Sequence, residues 1–139
     1  MVDIFTPEKR SKIMASIKGK DTSIELMLRK ALCKEGIRGY RVNMKLPGKP
    51  DIVFSKYKVA IFCDGDFWHG KDFDLWKDRL NPYWLKKIQT NIERDRRNDD
   101  LLREKGWIIF HFWESEIINK DNFCANQIKN YLNESCKLS

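Results

Sequence analysis

The sequence has no C-x-x-C pair, no run of about 18 apolar residues, no internal repeat and no Gly/Ser-rich linker, and each absence narrows the field. Its four cysteines, Cys33, Cys63, Cys124 and Cys136, are far apart. That spacing argues against a disulfide framework and against a zinc site built from cysteine pairs. Without a long apolar run, no transmembrane helix and no membrane partner are expected. Residues 1–10 lack the basic-then-apolar pattern of a signal peptide, so a cytoplasmic location is expected. With 139 residues and no linker, the chain reads as one domain spanning 1–139. Acidic residues are the scarcer charge: 20 Asp+Glu stand against 27 Lys+Arg, a net charge of +7. Such an excess points to a polyanionic partner, nucleic acid first.

The excess is concentrated. Residues 8–20 carry Lys9, Arg10, Lys12, Lys18 and Lys20 against Glu8 alone, and 41–58 carry Arg41, Lys45, Lys49, Lys56 and Lys58 against Asp51 alone. The two clusters are candidate phosphate-gripping surfaces, with Lys12 and Lys49 as their representatives. Between and beyond them the pattern predicts a helix at 7–18 and a second at 22–35, where Ile24, Met27, Leu28, Ala31 and Leu32 recur at helical spacing. A short strand at 39–43 and the turn Leu46-Pro47-Gly48-Lys49-Pro50 follow. Two β-rich runs, 51–54 and 59–64, flank a polar turn and predict a hairpin; the second is apolar enough to be buried on both faces. Residues 65–81 read as irregular, 82–105 as a long charged helix, 107–112 as a strand and 121–134 as a closing amphipathic helix. The order implies an α/β domain with a mixed sheet.

In such a hairpin the start of the first strand lies beside the end of the second, so Asp51 and Asp64 should be neighbours, flanked by the backbone of Cys63. Close carboxylates repel unless a cation joins them, and Mg²⁺, which favours oxygen ligands, is the natural occupant. The plain alternative is a turn cap at Asp51 and an exposed Asp64. In Gly65-Asp66-Phe67-Trp68-His69-Gly70, two adjacent aromatics sit between glycines. They either pack on the core or stack against nucleobases, and Trp84 can join them. His69 is a histidine close to the carboxylates and suited to proton transfer near neutral pH; His111, inside a strand, reads as structural. Asn91 and Asp95 share a face of the long helix, which is otherwise a solvated charged surface. Glu25, among apolar neighbours, calls for a partner.

Together these blocks resemble the very-short-patch repair (Vsr) DNA mismatch endonucleases. The likeness is carried by Arg10-Ser11-Lys12-x-Met14, Asp21-Thr22-x-Ile24-Glu25 and Leu46-Pro47-Gly48-Lys49-Pro50-Asp51. It continues in Ile61-Phe62-x-Asp64-Gly65-x-Phe67-Trp68-His69-Gly70, in Trp84-Leu85-x-Lys87-Ile88-x-x-Asn91-x-Glu93-Arg94-Asp95-Arg96-Arg97, and in Gly106-Trp107 with Trp113-Glu114. The resemblance implies the PD-(D/E)xK restriction-endonuclease-like fold, a mixed β-sheet flanked by helices. It implies Mg²⁺-dependent nicking of one strand of double-stranded DNA, 5′ to the thymine of a T·G mismatch left by deamination of 5-methylcytosine. By the same resemblance Asp51, the Cys63 backbone carbonyl and Asp64 would hold Mg²⁺. His69 would be general base or phosphate-activating residue, Asp95 would orient the histidine or a second-metal water, and Glu25 and Asn91 would complete the site. Phe67, Trp68 and Trp84 would wedge open the duplex. His69 would also stand in for the superfamily's strand lysine, which Asp64-Gly65-Asp66 lacks.

One departure stands out. Where family members hold a structural zinc with Cys and His, this chain has Asp66, Lys71, Phe73 and Ser115, so no zinc is expected. An Asp66–Lys71 ion pair, with Phe73 packed on the core, is the expected substitute. A restriction-type or structure-specific nuclease of the same fold, or an inactive DNA-binding module, stays open as an alternative. A monomer is expected, because an asymmetric mismatch does not call for a two-fold dimer.

Overall fold

The computed structural model describes residues 23–138, with side chains through Ser135. The helix expected at 7–18, the first basic cluster and Lys12 lie outside the described residues. Helix α1 (Ser23–Lys34) buries Ile24, Leu28, Ala31 and Leu32, the stripe that its three-and-four spacing dictates.

Strands β1 (Arg41–Val42), β2 (Ile52–Phe54) and β3 (Val59–Asp64) form an antiparallel meander, and β4 (Ile108–Trp113) adds to β3 in parallel, in the order β1-β2-β3-β4. A parallel neighbour needs a crossover. The chain supplies it with a short α2 (Phe73–Trp76), a 3-10 turn (Lys77–Arg79) and the long α3 (Pro82–Glu104), all between β3 and β4. The expected irregular stretch therefore holds two short helical pieces. Helix α3 starts where its sequence says it should: Asn81 Oδ1 accepts the Trp84 N–H at 3.0 Å and Pro82 fills the first turn.

Alternation along β3 sorts the layers. Val59 and Ile61, with Ile52, Phe54 and Phe112, pack against α1 and α4 (Glu114–Leu138). Ala60 and Phe62 face the other way, onto Leu102 of α3. The result is a mixed sheet between helical layers, an α/β arrangement consistent with the restriction-endonuclease-like fold. Helix α4 begins seven residues before the expected 121, because the chain turns into helix directly after β4; Glu116 Oε1 accepts the Trp113 N–H at 3.0 Å there. Lys120, at φ −143° and ψ 49°, breaks this first segment from the amphipathic run that the sequence pattern marks. No helix among the described residues is long and apolar enough to cross a membrane.

Candidate active site

The site lies beyond the carboxyl ends of β3 and β4, the end of a parallel pair where α/β proteins commonly place ligands. The turn before β2 delivers Asp51 there. Gly48 allows it: its φ is +78°, and a Cβ would come within 3.1 Å of Phe62 and 3.2 Å of Asn98. The Asp51 N–H donates to the Ile61 carbonyl at 2.9 Å, and Asp51 Oδ2 accepts the Cys63 N–H at 2.6 Å. In a strand, N–H and C=O of one residue point to the same side, so the Cys63 carbonyl also faces Asp51. Glu25 of α1, only 4% exposed, hydrogen-bonds Asp51 and is also bonded by Arg29 at 3.3 Å. Asp64, 5% exposed, closes the group.

Three carboxyl groups thus share a desolvated corner. Burial pushes the Asp51 carboxyl up to about 8; the Cys63 hydrogen bond works against that rise, and the Glu25 and Asp64 charges reinforce it. Such a corner is relieved by a proton or by a cation, and carboxylate oxygens are the donors a hard divalent ion takes, but among the described residues no three His, Cys, Asp or Glu side chains stand in metal-holding geometry. Burial, with the nearby Asp51, Glu25 and Asp64 charges, also pushes the Cys63 thiol up, which removes it as a nucleophile.

His69 meets Asp95 of α3, Nδ1 to Oδ2, at 2.6 Å, and its Nδ1 is 3.9 Å from Asp64 Oδ1. An ionised carboxylate only accepts, so Nδ1 carries the proton and Nε2 is the ring's remaining nitrogen. Burial opposes a charge on His69, but Asp95 and Asp64 outweigh it and raise its affinity for a second proton. Gly70 lets the loop end close on α3: at φ +73°, a Cβ would stand 2.6 Å from Ile92.

His111, which reads as structural in the sequence, borders the same cleft. It joins the site, with Nδ1 2.7 Å from Asp64 Oδ2 and Nε2 2.9 and 2.8 Å from the two Asp99 oxygens. Burial disfavours its charge, yet Asp64 and Asp99 lift it to about 9. The ring stacks on Phe62 at 4.7 Å and 15°. Asp64, His69, Asp95, Asp99, His111 and Trp113 line one open cleft of about 930 Å³. Two signals for the missed pair lie in the sequence. His111 is the single polar residue in the run Trp107–Trp113, and Asn91, Asp95 and Asp99 recur every fourth residue along α3.

The aromatic loop is folded inward. Phe67, 4% exposed, stacks on Trp76 at 5.7 Å and meets Trp68 and Trp84 edge-on at 5.3 and 5.9 Å. Asn91 Nδ2 holds this loop by donating to the Trp68 carbonyl at 3.0 Å. Trp68 Nε1 is buried and finds no hydrogen-bond partner among the described residues. Lys49 is exposed on its turn.

The expected Asp66–Lys71 ion pair is replaced by a different brace. Lys71 Nζ donates to Ser115 Oγ at 2.5 Å, while Asp66 Oδ1 accepts the Ser115 N–H at 3.3 Å. The two side chains reach the β4–α4 junction instead of each other, because Ser115 there offers an acceptor to one and a donor to the other, while the Lys71 N–H donates to the Asp66 carbonyl at 2.9 Å. Phe73 packs edge-on against Trp76 at 5.3 Å, as expected of it. An ammonium and a phenyl ring cannot ligate a metal, so this donor set does not fit zinc. Lys71→Met, which keeps the stem and removes the donor, is expected to cost about 1 kcal/mol and to speed proteolysis within 65–80. Thermal unfolding and timed chymotrypsin digestion check this; an unchanged midpoint and cleavage rate would refute the brace.

A family model described as "DNA mismatch endonuclease Vsr" matches residues 2–75. The chain is 38% identical over 141 residues to the type II nicking enzyme V.NmeDIP of Neisseria meningitidis serogroup C, covering 99% of this chain and 95% of that one. It is 40% identical over 139 residues to the type II nicking enzyme V.HpaIIP of Haemophilus parainfluenzae, covering 97% and 99%. It is 35% identical over 136 residues to the DNA mismatch endonuclease Vsr of Escherichia coli K12, covering 96% and 87%.

Proposed function

Because the chain belongs to the Vsr family and is a DNA nicking endonuclease, we propose that it hydrolyses one phosphodiester of double-stranded DNA at a T·G mismatch, as a monomer, with Mg²⁺ at the Asp51 corner. The observation that carries this is the desolvated trio of Asp51, Glu25 and Asp64 beside the His69–Asp95 pair. Asp51, the Cys63 carbonyl and one oxygen of Asp64 would hold the ion, with Glu25 bordering it. An ion held there would supply a lowered pKa for the attacking water and a positive charge to offset that developing on the phosphate.

The chain's own groups do the rest. His69 Nε2 takes a proton from the attacking water, and Asp95 fixes the ring by accepting from Nδ1. Lys49, and Lys12 from outside the described residues, grip phosphates. Phe67, Trp68 and Trp84 form the wedge. A turn of Trp68 outward onto DNA would give its buried N–H a partner that it lacks among the described residues. Asn91 anchors the loop's backbone.

The test is a labelled duplex carrying T·G in several contexts, with matched and A·C duplexes as controls, incubated with protein and Mg²⁺. Nicking of the T·G strand about tenfold or more faster than the matched strand is expected, since each recognised feature of a base pair is worth roughly 1–3 kcal/mol. Equal cutting of the matched duplex would favour the restriction-type alternative, and binding with no cutting would favour the inactive module.

A further inference from the structure

Asp64 has two oxygens, and the structure commits one of them. Oδ2 accepts from His111 Nδ1 at 2.7 Å, while Oδ1 lies on the side of His69, 3.9 Å from its Nδ1. The other nitrogen of His111 donates to both oxygens of Asp99, at 2.9 and 2.8 Å. Carboxylates at both ends accept, so both ring nitrogens carry protons and the bridge is cationic. The register fixes it in place: His111 is opposite Phe62 across β3 and β4, and the Phe62 ring lies flat against the imidazole. Asp99 comes from α3, one turn beyond the Asp95 that holds His69. Helix α3 therefore secures one histidine on each side of Asp64.

We infer that His111, held by Asp99, is a positioning residue: it occupies one oxygen of Asp64, presents only the other to the reacting centre, and offsets one negative charge beside Asp51. The inference rests on the proposed cation site. A carboxylate clamped at one oxygen is a single-point ligand or hydrogen-bond acceptor, never a chelate. Without the clamp, Asp64 can turn and grip a cation with both oxygens, and the corner is one charge more negative. Removing His111 should therefore tighten cation binding and slow the reaction together. Loss of a merely structural histidine would loosen the corner and weaken both.

The experiment uses His111→Phe, which keeps a flat ring against Phe62, with His111→Gln, which removes the charge but keeps an N–H donor within reach of Asp64, as a milder second variant. Mn²⁺ alone is titrated by electron paramagnetic resonance, and single-turnover nicking is followed at saturating Mg²⁺. Removing one charge a few ångströms away at an effective dielectric near 20 tightens Mn²⁺ by about tenfold after screening. Disturbing a group that orients a ligand slows nicking by about 10–100-fold. His111→Gln should move both readouts in the same directions by less, and it carries the test if His111→Phe does not fold. Weaker or unchanged Mn²⁺ binding, or unaltered nicking, overturns the inference. An Asp51→Asn control separates the two levels: if it still binds Mn²⁺ and nicks, the cation site itself is wrong. The Mn²⁺ arm decides the role of His111 whichever DNA is cut.

Discussion

Asp51→Asn is expected to abolish nicking, by at least about 10³-fold, and to make the metal-free protein more stable at pH 8. Both effects come from one cause. The carboxyl is buried against Glu25 and Asp64 and rises from 3.8 to about 8, so at low pH the folded state binds a proton more tightly than the unfolded chain does. Stability from this group is therefore fully present below about 4 and is lost as pH climbs towards about 8. In EDTA, the wild-type unfolding midpoint should fall across that window by more than the midpoint of Asp51→Asn. The amide keeps an acceptor for the Cys63 N–H and carries no charge to desolvate, though its own burial offsets part of the gain. A net stabilisation on the order of 2 kcal/mol at pH 8 follows, since each tenfold change in proton affinity is worth about 1.4 kcal/mol. Adding Mg²⁺ should then stabilise the wild type and leave the variant unmoved. Thermal unfolding at pH 5 and pH 8, with EDTA or Mg²⁺, decides the matter. A variant less stable than wild type at pH 8, or one that Mg²⁺ still stabilises, would remove Asp51 from the cation site. The trade of stability for a charged, reactive corner is what a functional site in an otherwise consistent core should show.

The parts of this site that were legible in the sequence are those fixed by local rules. A polar turn between two β-rich runs dictates a hairpin, and the hairpin alone places Asp51 beside the end of β3. Apolar spacing located α1 and α3 to within a residue or so at each end. What escaped depends on partners distant in sequence. The partners of His111 are not legible, because a strand histidine meets them only when the parallel register sets it against Phe62 and α3 brings Asp99 over it. At the zinc positions the sequence suggests an Asp66–Lys71 pair as the brace, yet Ser115, at the far end of the crossover, accepts from the Lys71 side chain and donates to that of Asp66. The inward stacking of Phe67 was likewise open, since Trp76 lies in a stretch whose short helix has almost no periodicity to detect. The first segment of α4 was missed because it is too short to show an amphipathic stripe before Lys120 interrupts it.

His69→Ala should separate proton transfer from cation binding. The ring is held through Nδ1 by Asp95 at 2.6 Å, so its catalytic value resides in Nε2 and in the orientation that Asp95 imposes. Removing a positioned acid–base group costs about 10²–10⁴-fold in rate, and His69→Ala is expected to fall in that range under single-turnover conditions. Asp95→Asn should cost less, about 10–100-fold, because the imidazole remains but can turn or change tautomer. At a pH where its ring is neutral, His69→Ala should alter Mn²⁺ affinity by no more than about twofold, since the ring then supplies neither an oxygen nor a charge to the Asp51 corner, whereas Asp95→Asn removes a negative charge and should weaken Mn²⁺ binding modestly. That contrasts with His111→Phe, in which affinity rises as rate falls. The cleft beside His69 is open, and the substitution leaves a gap of one ring, so added imidazole should restore part of the activity to His69→Ala. The same additive should do nothing for Asp95→Asn, where the site is still filled. A loss below about fivefold in His69→Ala, set against the range expected for a proton-transfer group, would assign the proton to some other base. Rescue of both variants alike would mean that imidazole acts on the DNA and not in the vacated position.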